Sequence, residues 1–423
     1  MRAHIVKMIA AIALGAVLAG CGADSANESV TEWLDSRSTP LRGTDPRESV
    51  EELAALGKTV GSAEIVGLGE HAHGLAEITR LKHRAARYLV EELGFRTIAW
   101  EEDWSLGTQI DDYVHGRRHD RDALIGQMSS GWRFKEIAEF VDWIRDYNRT
   151  HQDKVRFFGV EYYATRPFVY DDIEAHIARH APSSLATART YLAALKPKSD
   201  DIGKHLRWYM AQIDKKPYVR QAEQLYDLVR GLPQGDAVAE HGARQIRSFY
   251  SAFVDLAKTP AFRDARAAEN LSWLRKNDTG KIVYWAASAH TADLPALTIS
   301  QPQGPPVSFA SVGSFLRKEF RYLSVGFTYH HGTYGAAQGV IDLPRPPAEW
   351  FEHELGKARG DQYVVDLRGP ASPAVRAWLD APRHARGYPE AGLASTMSGG
   401  TPAQWFDVIV HRAEVSPATP LTK

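Results

Sequence analysis

A single cysteine, Cys21, stands among 423 residues, so no intramolecular disulfide can close and no thiolate metal site can be built within the chain. Charge of one sign is also missing. The 51 lysines and arginines are balanced by 52 aspartates and glutamates, which removes the basic excess a phosphate backbone requires and argues against nucleic acid as a partner. Beyond Gly20 no run is long and apolar enough to cross a bilayer, no repeat of fixed period occurs, and no Gly-x-Ser-x-Gly elbow offers a serine nucleophile. What is present is a 44% hydrophobic composition with 10% aromatics, enough for a large buried core.

The chain opens with Arg2 and Lys7 ahead of an apolar run, Ile9 to Leu18, too short for a permanent span, which reads as a secretion signal over residues 1–20. Leu18-Ala19-Gly20-Cys21 resembles the bacterial lipobox, which makes Cys21 the expected site of lipidation and residues 21–29 a flexible linker. The expected location is that of a secreted bacterial lipoprotein, held at the cell membrane or envelope through its N-terminal lipid.

From residue 30 to 423 the pattern predicts one α/β domain with a mostly parallel central sheet flanked by helices. Short apolar runs bounded by turn formers mark strands at Glu64–Leu68, Phe95–Trp100, Val155–Val160, Lys281–Ala286, Tyr322–Phe327, Val364–Leu367 and Asp407–Val410. Ile78, Leu81, Ala85, Leu89 and Leu93 recur at helical spacing and end at Gly94. Between about 171 and 256 only helical patterns occur, which predicts a helical insertion able to cover the sheet.

Ligands of parallel sheets bind beyond the carboxyl ends of strands. Four predicted strands end there in ionisable residues: Glu70 with His73, Glu101, Glu161 and, after Ala286, His290. A histidine among carboxylates suits a general base that activates water, because the carboxylate fixes the tautomer and stabilises the imidazolium. His290 would then polarise a carbonyl or steady an oxyanion. His71 is expected to face away, Glu102 and Asp103 to serve a helix start, and His83 to lie on a solvated helical face. His330 and His331 follow a strand without partners at ligand spacing.

The blocks Gly69-Glu70-His71-Ala72-His73-Gly74, Gly131-Trp132-Arg133, Phe158-Gly159-Val160-Glu161, Arg263-Asp264 and Trp285 to Asp293 stand in an order that resembles the erythromycin esterase family. The resemblance implies a hydrolase of carboxylic esters or lactones, macrolide ring opening being its archetype, with His73 as general base and with Glu70, Glu101 and His290 completing the site. It also implies substrate contacts from Lys82, Glu161, Trp132 and Arg133, a small-molecule substrate, and neither metal nor other cofactor. Two departures concern substrate: the family's usual His-Asn pair is replaced by Ala287 and Ser288, and Lys82 stands where macrolide-opening members carry arginine. Two histidines with two carboxylates are also a ligand set for zinc or manganese. The alternatives are therefore a metal- or haem-binding surface lipoprotein, or a metal-dependent hydrolase of cell-envelope esters.

Overall fold

The computed structural model describes residues 28–163, 166–199, 201–232, 237–277 and 280–421. The expected leader and Cys21 lie outside them. Among the described residues no helix is long and apolar enough to cross a membrane.

The strands are, in chain order, β1 (Thr39–Pro40), β2 (Ile65–Glu70), β3 (Phe95–Asp103), β4 (Arg156–Glu161), β5 (Lys281–Ala287), β6 (Leu297–Ser300), β7 (Val307–Phe309), β8 (Tyr322–Ala336), β9 (Gly339–Leu343), β10 (Gln362–Asp366), β11 (Ala385–Arg386), β12 (Thr396–Ser398) and β13 (Val408–Val415). The main sheet has the order β1-β10-β13-β8-β2-β5-β3-β4, with β9 folded back on the far half of β8. The six strands from β13 to β4 run parallel, while β10 and β1 close one edge antiparallel. A parallel sheet needs helices on both faces, which is why β2, buried at every position, reads as a continuous apolar run rather than an alternating one. The protein is thus α/β with a mostly parallel sheet.

The chain leaves β2, passes over the position of β5 to make β3 and β4, then returns to insert β5 between β2 and β3 before crossing to β8. Strand order reverses around β2 and β5, so their carboxyl ends open a crevice between outgoing loops. Six α-helices among the described residues separate β4 from β5, from Pro167–His180 to Thr259–Asn277. Several of them enclose an apolar core of their own around Ile173, Leu192, Leu225 and Phe249.

Three features were not expected. A second, antiparallel sheet of order β11-β12-β6-β7 is built from strands of two to four residues, too short to carry a periodic signal. β8 runs nine residues beyond Phe327, to Ala336, because β9 pairs with its extension. His83 is not on a solvated face: it is buried against the rings of Phe140 and Trp143, at centroid distances of 4.9 and 5.5 Å. Helix Ala76–Glu91, which carries it, is covered by helix Lys135–Thr150 as well as by the sheet.

Candidate active site

Glu70 closes β2, where it pairs with Ala287 and Phe327 in the two neighbouring strands. The chain then turns through Gly74, whose φ of 72° favours glycine, and brings His73 back over the strand end. Glu70 Oε1 lies 2.6 Å from His73 Nδ1. With the carboxylate accepting there, Nδ1 carries the proton and Nε2 is the free base. The other Glu70 oxygen accepts from the Lys82 ammonium, which also reaches the Ala286 carbonyl at 3.4 Å and lies over the Trp285 ring. Lys82 is 1% exposed. It was expected to touch substrate, but it has no surface to offer one and instead underpins Glu70.

Glu101 reaches the same crevice through a bulge. Trp100 pairs with Gly159 and Asp103 with Glu161, so Glu101 and Glu102 together stand opposite Val160 alone. The extra residue sends the two carboxylates apart. Glu102 turns to the Ser129 backbone N–H at 2.5 Å, holding the loop that carries Trp132. Glu101 enters the site, where its Oε2 accepts from the Ala287 backbone N–H at 2.8 Å and faces His73 Nε2 at 3.9 Å.

Glu101 Oε1 is crowded by cations: Arg263 Nη2 at 2.7 Å and His290 Nε2 at 3.3 Å. Arg263 Nη2 also contacts Glu161 Oε1 at 2.8 Å, and its Nη1 lies 3.1 Å from His290 Nε2. His290 sits on the short helix Ser288–Thr291 after β5, with Nδ1 at 2.9 and 3.1 Å from the two oxygens of Asp264. Asp264 is fully buried and accepts the Val312 N–H at 3.0 Å. Glu70, His73, Glu101, Glu161 and His290 therefore converge, with Arg263 and Asp264 completing the cluster.

Burial pushes the His73 imidazole below its ordinary 6.5, with Glu101 opposing, so the ring is neutral near pH 7. Burial also works against the His290 cation, but Asp264 and Glu101 overcome it and lift the group to about 10. For Glu101, burial favours the neutral acid, yet His290, Arg263 and His73 hold it well below the usual carboxylate range. Glu161 is raised by burial against the pull of Arg263. One imidazole is thus kept as a base and the other as an acid, with an ionised carboxylate between them.

Of these side chains His73 and Arg263 are the most open to solvent, at 19% and 28%, while Glu101 and His290 expose 7% and 6%. Trp132 packs its ring 4.0 Å from the His73 ring and donates Nε1–H to the Glu101 carbonyl at 3.0 Å. It is 4% exposed and steadies the base rather than facing a ligand. Arg133 is exposed and donates to the Met128 carbonyl at 2.6 Å, with no bond to the cluster among the described residues. His71 points away, its Nδ1 2.8 Å from the Arg386 carbonyl. Asp103 caps helix Trp104–Val114 through the Leu106 N–H.

Among the described residues no group of three histidine, cysteine, aspartate or glutamate side chains is arranged to hold a metal ion. The Arg263 guanidinium fills the space between Glu101 and Glu161 that a cation would take. Arg263 and Asp264 were visible in the sequence only as part of the family blocks. A signal did exist: Asp264 heads the helical stripe Asp264, Ala267, Ala268, Leu271 and Leu274, all buried, and an acid on such a stripe demands a partner.

The erythromycin esterase family pattern matches residues 90–415. Erythromycin esterase type II of Escherichia coli is 29% identical over 131 residues, 31% of each chain, and the putative hydrolase YbfO of Bacillus subtilis (strain 168) is 26% identical over 151 residues, covering 34% of this chain and 33% of its own. The matches thus span about a third of those relatives. Among solved structures, a Bacillus cereus protein superposes with a TM-score of 0.82 at 24% identity, over 93% of this chain and 98% of its own. An erythromycin esterase mutant in its open conformation superposes with a TM-score of 0.70 at 16% identity, over 92% and 99%. At these identities the superpositions establish the common fold. With more than half its length matched by the family pattern, the chain belongs to the erythromycin esterase family.

Proposed function

We propose that this protein hydrolyses a carboxylic ester or lactone with water activated by His73. The observation that carries the reading is the pair of acceptors facing one another, His73 Nε2 and Glu101 Oε2, 3.9 Å apart. A water donating one O–H to each at about 2.8 Å would subtend roughly 90° at its oxygen, close to its natural angle, with a lone pair left for a carbonyl carbon. His73 takes one proton as the oxygen attacks, and the carbonyl electron pair moves onto oxygen. Arg263 and the His290 imidazolium are the nearby cations able to stabilise that oxyanion. When the C–O bond breaks, the departing alkoxide takes its proton from His73, and the products are a carboxylic acid and an alcohol. Family membership supports the ester or lactone as substrate class, with macrolides as archetype. Ala287, by contributing only its backbone N–H to Glu101, leaves the site with one imidazole fewer than the family norm.

The lipid anchor at Cys21 belongs to the same proposal and sets the enzyme at a membrane surface. Palmitate labelling of the full chain, lost in Cys21→Ser, would support it, and labelling that persists would remove it. For the chemistry, protein beginning at Gly22 is analysed for metal and incubated with macrolides and simple acyl esters, beside His73→Ala. Hydrolysis by the metal-free wild type, lost in the variant, is the expected result. A tightly held metal or haem, released by His73→Ala and unaccompanied by turnover, would replace the reading with that of a binding lipoprotein.

A further inference from the structure

The cluster opens into a cavity of about 440 Å³ whose inner end is formed by Arg263, Asp264 and His290, with Tyr388 beside them. Its remaining walls are mostly apolar, with Thr259 and Gln301 the polar side chains among them. Leu206 and Met210, on helix Ile202–Met210, and Leu256 form one side; Ile299 of β6 with Val307 and Phe309 of β7 form the other. Both sides come from parts of the chain outside the main sheet. At the mouth the apolar residues do not retreat from water: Met210 and Val307 are each 36% exposed and Leu256 is 57% exposed. Two larger cavities, of about 710 and 790 Å³, are lined by none of His73, Glu101, Arg263 or His290, whereas the last two line this one.

Resting on the ester-hydrolase reading, we propose that this cavity holds the hydrocarbon acyl arm of the substrate, so that the preferred substrates are amphiphilic acyl esters. Beyond Thr259, whose hydroxyl donates to the Ala252 carbonyl, and Gln301, the walls are apolar, and a polyhydroxylated or charged arm entering there would lose most of its hydration without replacement. A hydrocarbon arm meets the opposite balance, since it leaves water for an apolar surface whose own exposure it ends. The charged end of the cavity is the one formed by Arg263, Asp264 and His290. An arm seated between the two walls therefore presents its carbonyl to Arg263 and His290, and its alcohol side to the solvent-open side of His73. The volume lies in the range of sites that enclose a small organic ligand.

The test uses the 4-nitrophenyl esters of acetate, butyrate, hexanoate, octanoate and decanoate. Burial of each added methylene should raise kcat/KM by about threefold to fourfold until the cavity is filled. Leu256→Asp and Val307→Asp, on opposite walls and both partly exposed, should each lower the decanoate-to-acetate ratio of kcat/KM by about tenfold or more, with circular dichroism confirming the fold. A series flat with length, or a ratio unmoved in both variants, overturns the inference, while acetate turnover lost in His73→Ala keeps the hydrolase reading. If neither an ester in the series nor a macrolide is turned over, that reading falls. Calorimetric binding of decanoate against butyrate to the wild type then decides the cavity: equal affinities overturn it, and a gain of about threefold per methylene, abolished by Leu256→Asp, upholds it as a hydrocarbon site.

Discussion

Replacing Glu70 with glutamine tests two consequences of one carboxylate, and a second substitution separates them. Glu70 is 3% exposed and binds His73 through one oxygen and Lys82 through the other. In Glu70→Gln, Lys82 must remain charged in the interior without its partner or surrender its proton, and breaking a buried pair in this way costs about 3–5 kcal/mol. His73 loses the acceptor that fixes its tautomer, for which a fall in kcat of about 10²–10⁴ is expected. Burial already pulls the Lys82 group well below its ordinary 10.5. Wild type and variant both bind more protons unfolded than folded, so each gains stability as pH rises; the variant, its Lys82 pulled lower still, gains more, and its deficit should be largest at low pH and close as pH rises through the wild-type Lys82 value, well below 10.5. Adding Lys82→Met removes the stranded amine and leaves a chain that can lie along Trp285, so the double variant should return to within about 1.5 kcal/mol of wild type. Activity should stay lost. Urea midpoints and ester turnover measured on the single and double variants are the assay. A Glu70→Gln protein as stable as wild type, or a double variant that regains activity along with stability, would refute the reasoning.

Other expectations follow from the same geometry. The pH–rate profile should lose activity on an acid limb below 6.5, where His73 takes up its proton, and on an alkaline limb near 10, where His290 gives its own away; a limb missing on either side sinks that assignment. Because the His290 pKa is raised on folding, its contribution to stability is complete below 6.5 and disappears as pH climbs through about 10. Asp264→Asn, which removes the leading cause of that rise, should flatten the decline of the urea midpoint across this window. A Cβ at Gly131 would come within 2.7 Å of His73 Cδ2, so Gly131→Ala should swing the ring aside and lower kcat by about a hundredfold while KM changes little; unaltered kcat would mean the ring need not sit where it does.

How far the sequence reveals such a site depends on whether a residue's partner is near it in the chain. Glu70 and His73 are three residues apart at a strand end, and the strand that carries them is legible as an apolar run. Glu101, Glu161 and His290 follow from the same rule applied to other strands, and the structure brings them together within hydrogen-bonding reach of Arg263 or one another. Lys82, His83 and Arg84 show where the reading stops. Three successive polar side chains suggest a wet face, yet none exceeds 4% exposure. Each is paid for by a distant partner: Glu70 for Lys82, the rings of Phe140 and Trp143 for His83, and Glu52 with the Ser49 carbonyl for Arg84. No local pattern announces those meetings. The bulge at Glu101 is hidden for the same reason, since it exists only in register with β4.

The chemical groups and the apolar walls of the site are held by different pieces of the molecule. Glu70, His73 and Glu101 hang from the ends of β2 and β3, the two strands that flank β5 in the main sheet, whereas Leu206, Met210 and Val307 belong to peripheral segments. Arg263 and Asp264, neighbours on helix Thr259–Asn277, reach from the helical side into both, Arg263 gripping Glu101 and Glu161 and Asp264 holding His290 while the two line the cavity. Such a division lets descent act on the two halves at different speeds. Peripheral helices and short strands can be resized, exchanged or resequenced to suit a new ester while the water-activating core is inherited intact, and Arg263 with Asp264 marks the position at which any such remodelling must stop.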